Sequence, residues 1–372
     1  MKKIKVGCVG LGPRGASLFK TLLACNDVEA YAVCDCEQEK LDSAKEWLEK
    51  DFNATNVQYF TSYEEMFKSD VEAVIVATHV ETHAKISAAA LYAKKHVLCE
   101  IPNIANVDEA RFLARAVKDN PEAKFMVAEE CCYWGFIKTY KEMYDNGLLG
   151  DIVYAESDYI HSDGAAKRLL NLEEYAKQPK TWRSYLPAIT YLTHNLGPLL
   201  YITGDVCTEI SGFIPDNNPY GEDNHPGPPN GAAMIKTKKG SLFKIFIGFC
   251  LYRREFGHNF ILYGTRGSVE NERTGPFNDR QSIADLSVMP NTHSAAKMPV
   301  TSGYPGASTE GHGGADSKMM EAFVDCIIND KEPELGIEFG INISLPGIYA
   351  DLSSREHGKT YKMPSLEEIL NS

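Results

Sequence analysis

The sequence is short of positive charge: 38 lysines and arginines stand against 51 aspartates and glutamates, a formal net charge of −13. That balance argues against a general nucleic-acid binder, which needs a basic surface to attract phosphates. It leaves room for a small anionic substrate, because the field in a cleft can oppose the net charge. Long apolar runs are missing too. No stretch approaches the roughly 18 residues of a membrane span. The apolar run at the N-terminus, MKKIKVGCVG, is too short and too broken by glycine for a secretory core. The expectation is a cytoplasmic chain with no membrane partner. The ten cysteines form no framework. Cys34 and Cys36 flank Asp35, Cys131 and Cys132 are adjacent, and neither CxxC nor zinc-ligand spacing occurs. They read as reduced and mostly buried thiols, with no metal site.

What is present is an alternation. Ile4–Val9, Glu29–Cys34, Ala73–Ala77, His96–Cys99 and Lys124–Val127 read as short strands rich in Val, Ile and Ala. Between them lie amphipathic stretches, Ala16–Ala24, Gln38–Lys50, Thr82–Ala93 and Val107–Val117. Alternating strands and helices predict a doubly wound parallel sheet of Rossmann type over residues 1–125. Beyond it the pattern changes. Phe136–Asn146 reads as a helix stopped by Gly147. Longer strand-like runs follow at Ile152–His161, Glu209–Ile214, Ala232–Thr237, Leu242–Phe249, Asn259–Tyr263 and Gly267–Asn271. Hairpin-length turns such as Lys238-Lys239-Gly240 separate several of them, which predicts a largely antiparallel sheet. Asp216–Gly231 and Thr274–Gly311 read as long loops, and Asp316–Ile328 as a helix. The fold class expected is α/β: a Rossmann domain over 1–125, then an α+β domain over 126–372 with an open, mostly antiparallel sheet. The 372 residues suffice for two such cores.

Gly10-Leu11-Gly12-Pro13-Arg14-Gly15 matches GxGxxG directly after the first strand and at the start of a helix. Gly10 permits the tight turn, Gly12 lets the backbone approach a pyrophosphate, and Gly15 lets helix and strand pack closely. The helix start turns free N–H groups towards the phosphates, with Pro13 at the turn expected to line the cofactor. Arg14 reads equally as a phosphate contact or a surface residue. Asp35 ends the second strand 20 residues after Gly15, where a carboxylate accepts both ribose hydroxyls and repels the extra phosphate of NADP. The cofactor expected is therefore NAD. Ligands of open parallel sheets bind at the carboxyl ends of strands. That rim holds Thr78, His79, Glu100, Pro102 and Glu129, with His83 in the helix that follows.

In the second half, Tyr191-Leu192-Thr193-His194-Asn195-Leu196-Gly197-Pro198 stands out. Histidine takes a proton near neutral pH, as alcohol oxidation requires, although most lone histidines are structural. A helix starting near Thr193–Asn195 would turn Tyr191 and His194 to one cleft. Tyr159 and His161 at a strand end, and the Trp182-Arg183 pair, suit sugar faces and carboxylates, and equally an ordinary packed surface. Gly311-His312-Gly313-Gly314-Ala315-Asp316 reads as turn geometry with Asp316 capping a helix.

Together, Val9–Gly15, Asp35, Glu100-Ile101-Pro102, Gly147–Gly150, Thr193–Pro198, Gly264–Gly267 and Gly311–Asp316 resemble the glucose–fructose oxidoreductase, inositol dehydrogenase and MocA family over nearly the whole chain. The resemblance implies oxidation or reduction of sugar and cyclitol hydroxyls with a nicotinamide cofactor, in dimers or tetramers. Typical members carry Glu-Lys-Pro, the lysine often being catalytic; here Ile101 stands in its place and transfers no proton. A subgroup lacking that lysine, the NAD-dependent glycosidases of α-N-acetylgalactosaminidase type, is similar through Glu129-Glu130-Cys131-Cys132-Tyr133, Tyr159-Ile160-His161, Trp182-Arg183 and Tyr191–Pro198. That likeness implies sugar binding by Glu129, Tyr159 and Tyr191, and a base role for His194. Ser-Asp-Gly follows His161 where the subgroup has Asp-Leu-Arg, so substrate identity does not carry over. Three readings stay open. One is oxidation of a secondary sugar hydroxyl, expected at carbon 3, with Tyr191 and His194 catalytic. Another is redox-neutral glycoside cleavage. The last is a dinucleotide-dependent sensor without turnover.

Overall fold

The computed structural model describes residues 3–161, 182–218, 227–251, 257–273, 281–289, 296–299 and 310–371, with residues 173, 177 and 221 in isolation. It divides into two compact units. The first comprises Met1–Glu130, Pro305–Ile341 and Ser365–Ser372; the second comprises Cys131–Tyr304 and Asn342–Pro364. The chain leaves the first unit after Glu130 and returns to it twice.

The first unit is built on six parallel strands: β1 (Ile4–Val9), β2 (Val28–Cys34), β3 (Gln58–Phe60), β4 (Ala73–Val76), β5 (His96–Cys99) and β6 (Phe125–Val127). Their order is β3-β2-β1-β4-β5-β6, the doubly wound arrangement with a switch point between β1 and β4. Ala73–Val76 is wholly buried, as expected of a central strand covered on both faces. The short β3 lacks a run of β-branched residues, and it gives no strand signal in the sequence. The helix after β1 spans Pro13–Leu23 and starts three residues before the apolar periodicity does, because Pro13 takes the first helical position. Helix Ala315–Ile328 belongs to this unit and buries Met319, Met320, Phe323 and Val324.

The second unit carries a nine-stranded sheet. Its strands are β7 (Ile152–Ile160), β8 (Cys207–Phe213), β9 (Asn230–Thr237), β10 (Leu242–Gly248), β11 (Gly257–Gly264), β12 (Gly267–Asn271), β13 (Gln281–Leu286), β14 (Ala296–Pro299) and β15 (Tyr361–Lys362). The order is β14-β13-β12-β11-β7-β10-β9-β8-β15. Every recorded pairing is antiparallel except β10 with β7, at the centre. The expected α/β class and mostly antiparallel second sheet are therefore present. β13 and β14 fall inside Thr274–Gly311, which reads as loop in the sequence because glycine, proline and serine dominate it. Residues 274–280, 290–295 and 300–309 of that stretch, and most of 219–226, lie outside the described residues. No helix among the described residues is long and apolar enough to cross a membrane.

Helix Thr193–Thr203 packs on one face of this sheet, and all its residues are buried. Asn195 anchors it, its amide donating to Ser157 Oγ at 3.1 Å and to the Phe246 carbonyl at 3.2 Å. Each such buried bond is worth about 1 kcal/mol net, and more is lost when one partner is removed. Together they hold the helix start, and with it His194, against β7 and β10.

Candidate active site

The functional residues fall into two sets, one in each unit. In the first, the backbone turns sharply at Gly10, whose φ of +94° suits glycine; a Cβ there would meet the Ala77 carbonyl oxygen at 2.4 Å. Gly15 is equally constrained, since a Cβ would lie 2.0 Å from the Gly10 carbonyl oxygen. Gly12 differs: a Cβ there would meet no atom within 4 Å. The space over Gly12 is thus open, as a backbone that receives a pyrophosphate requires. The helix begins with the Ala16 N–H on the Gly12 carbonyl, so Arg14 and Gly15 turn their N–H groups outward, while Pro13 contributes none.

Asp35 closes the turn. Its carboxylate accepts from the Leu11 N–H at 2.7 Å and the Glu37 N–H at 3.0 Å, and Lys40 lies 3.8 Å away. Each oxygen keeps a lone pair for a ribose hydroxyl. Open space over Gly12, a helix start and a strand-end carboxylate fit a dinucleotide without a 2′-phosphate.

Thr78 and Glu100 follow β4 and β5. His83 is buried, with Nδ1 2.9 Å from the Pro102 carbonyl and Nε2 3.1 Å from that of Thr78. Burial holds it below the ordinary histidine value although both carbonyls favour the charged form. The neutral ring donates to one carbonyl at a time and braces Thr78 against Pro102. Arg14 faces inward. Its Nε donates to Glu100 at 2.6 Å, its two Nη atoms grip Asp316 at 2.9 and 3.0 Å, and Glu130 lies 3.4 Å away. Glu129, after β6, is fully buried.

The second unit gathers an aromatic and imidazole cluster. Tyr191 Oη lies 3.0 Å from His194 Nε2, and Cys131 Sγ lies 3.3 Å from His194 Nδ1. The imidazole stands edge-on to Tyr159, ring centres 5.3 Å apart at 88°. Tyr159 also contacts His161 at 5.8 Å, and Trp182 leans on Tyr191 at 5.0 Å. The structure therefore brings together five of the residues read from sequence: Tyr159, His161, Trp182, Tyr191 and His194. The Arg183 side chain lies outside the described residues. His258 was not read from sequence. It is buried on β11, in register with Tyr159 and stacked on it at 4.3 Å and 13°. No alternation marks it, because Gly257–Leu262 are all buried.

The glycine turn, helix start and strand-end carboxylate of the first unit have the features of a dinucleotide site, and the second unit carries an imidazole–phenol pair of the kind that relays protons. The chain belongs to the oxidoreductase family with an NAD-binding Rossmann fold, which matches residues 4–128, and that family's C-terminal alpha/beta domain matches residues 141–363. A glycosyl hydrolase family 109 protein from Solibacter usitatus is 22% identical over 97% of this chain and 87% of its own. An alpha-N-acetylgalactosaminidase from Shewanella oneidensis is 24% identical over 98% of this chain and 85% of its own. Among solved structures, scyllo-inositol dehydrogenase from Lactobacillus casei, with bound NAD(H) and scyllo-inositol, is similar with a TM-score of 0.76. It is 18% identical over 97% of this chain and 99% of its own. An oxidoreductase domain protein from Kribbella flavida reaches a TM-score of 0.82, also at 18% identity, over 98% and 100%. At such identity the structures speak for the fold alone.

Proposed function

We propose that this enzyme oxidises a secondary hydroxyl of a sugar or glycoside, with Tyr191 and His194 together as the base. The observation that carries the reading is the 3.0 Å contact between Tyr191 Oη and His194 Nε2. Both histidine nitrogens are engaged, so the phenol is the group that meets the substrate hydroxyl. As the hydroxyl proton passes to Tyr191 Oη, the phenol proton passes to His194 Nε2. Cys131 at Nδ1 keeps the ring in plane for that transfer. A free phenol is too weak an acid to lose its proton unaided near neutral pH; a partner imidazole makes the transfer concerted. NAD, when bound by Gly10, Gly12, Gly15 and Asp35, supplies the hydride acceptor. His161 and Trp182, beside the pair in the same unit, offer ring faces to a sugar.

The second reading is redox-neutral glycoside cleavage. It is favoured by the two relatives named as glycosidases, which are similar over nearly the whole chain, and by Ile101 in the place of a lysine. Oxidation at carbon 3 would acidify the carbon 2 proton and let the aglycone leave by elimination; water would then add at carbon 1 and the hydride return to carbon 3, regenerating the oxidised cofactor. The purified protein with its retained cofactor, incubated with a glycoside panel and no added NAD, separates the two. NADH accumulating in proportion to enzyme, with the glycosidic bond intact, supports the oxidation. Aglycone released over many turnovers supports the cleavage. Neither product on any member of the panel would overturn both.

A further inference from the structure

Arg14 lies inside the glycine turn, yet its donors are taken by carboxylates: Glu100 at Nε, Asp316 at both Nη atoms, and Glu130 at 3.4 Å. A phosphate ligand would have to abandon all three. His312 completes the group, with Nδ1 3.1 Å from Asp316 Oδ2 and Nε2 3.6 Å from Glu130 Oε1. The three carboxylates are buried, at 7% exposure or less. Four successive residues with φ of +53°, +48°, +69° and +91°, Gly311 to Gly314, wrap the chain around Asp316. Burial opposes charge on Arg14, but Glu100, Glu130 and Asp316 overcome it and hold the guanidinium protonated. His312 is pushed down by burial and raised by Glu130 and Asp316, to a net value of about 9.

Two cations against three carboxylates leave one formal negative charge near neutral pH. It is not cancelled next in the chain, since Ile101 is uncharged. Glu100 follows β5, at the strand-end rim where doubly wound sheets hold the reacting part of their ligand. The oxidised nicotinamide ring carries one positive charge and the reduced ring none; the rest of the dinucleotide is the same. The ratio of the two affinities therefore reads the local field at the ring.

We propose that this cluster selects the redox form of the cofactor: its residual negative charge favours the oxidised dinucleotide, and His312 sets the size of that preference. A unit charge about 10 Å away, at an effective dielectric constant of about 20, changes such a ratio by roughly tenfold. The inference rests on dinucleotide binding and not on the sugar reading, so it survives if no sugar is turned over.

The test compares dissociation constants of NAD and NADH for cofactor-stripped full-length protein. Glu130→Gln removes a negative charge and should lower the preference for NAD by roughly tenfold. His312→Asn removes a positive charge, keeps a residue that tolerates the left-handed conformation, and should raise the preference several-fold. In the unmodified protein the preference should rise between about pH 8 and 10, as His312 gives up its proton to leave Arg14 alone against Glu100, Glu130 and Asp316. His312→Asn should be flat over that range. A purely structural role would weaken both redox forms equally and leave the ratio unmoved. An unmoved ratio in both variants, or a shift of the same sign in both, overturns the proposal. If either variant fails to fold, the pH dependence of the unmodified protein decides, a flat ratio counting against it.

Discussion

Asp35 accepts the Leu11 N–H at 2.7 Å, so the residue expected to hold a ribose also holds the glycine turn in shape. The two roles are separable by substitution. Asp35→Asn keeps an acceptor for Leu11 but loses the charge. Its affinity for NAD should fall about tenfold or more while its affinity for NADP falls less or rises, since the repulsion of a 2′-phosphate is gone. Titration of both dinucleotides by calorimetry measures this; an unchanged NAD to NADP ratio counts against the assignment.

The glycines of the turn should behave oppositely. Gly12→Ala projects a methyl into open space, and Gly12 has φ −60° and ψ 174°, which alanine adopts freely. Thermal stability should change by less than about 0.5 kcal/mol while NAD binding is lost. Gly10→Ala meets the Ala77 carbonyl and a positive φ, so it should cost several kcal/mol of stability as well. Melting curves with and without NAD distinguish the two.

For the base, His194→Asn should lower turnover by roughly two to four orders of magnitude. Tyr191→Phe should do at least as much if the phenol is the group that meets the substrate. Cys131→Ser keeps a hydrogen-bonding partner for Nδ1 and should retain more activity than Cys131→Ala. A fully active, folded Tyr191→Phe would return the direct role to His194.

The Asp316 cluster predicts a stability profile. Burial raises the Asp316 carboxyl, but the His312 hydrogen bond and Arg14 dominate and bring it from 3.8 to about 2. A depressed folded-state value means its contribution, about 2 kcal/mol, is complete above about pH 4 and is lost as pH falls through 2. His312 is raised, so its contribution is complete below 6.5 and is lost as pH rises through about 9. Its side chain is 38% exposed, and solvent screening makes that second loss the smaller. Urea unfolding across pH should show both declines, and His312→Asn should abolish the alkaline one and shrink the acid one, because Asp316 loses the His312 hydrogen bond.

The legible parts of this molecule are local. β1, the glycine turn and Asp35 lie within 35 residues, and each has a chemical signature of its own. Tyr191 and His194 lie three positions apart, around the start of a helix. The cluster on Arg14 escapes that kind of reading, because Asp316 is 302 residues away and its carboxylate looks, in sequence, like an ordinary helix cap. Ile337–Arg355 escapes for another reason. It is a helix of 19 residues with Pro346 inside and apolar side chains nearly all round, so no 3.6-residue periodicity marks it. The central β7–β10 pairing is parallel in a sheet whose turns predict only antiparallel neighbours. Neighbouring strands read from hairpins; the partner of a long crossover does not.

The return of residues 305–341 to the first unit has a consequence for synthesis. Met319, Met320 and Phe323 are buried there, and Asp316 is a partner of Arg14 in the glycine turn. A nascent chain that has emerged only as far as Glu130 has all six strands of the sheet but not that covering. The cofactor-binding unit, although begun first, must wait on the ribosome for its last pieces.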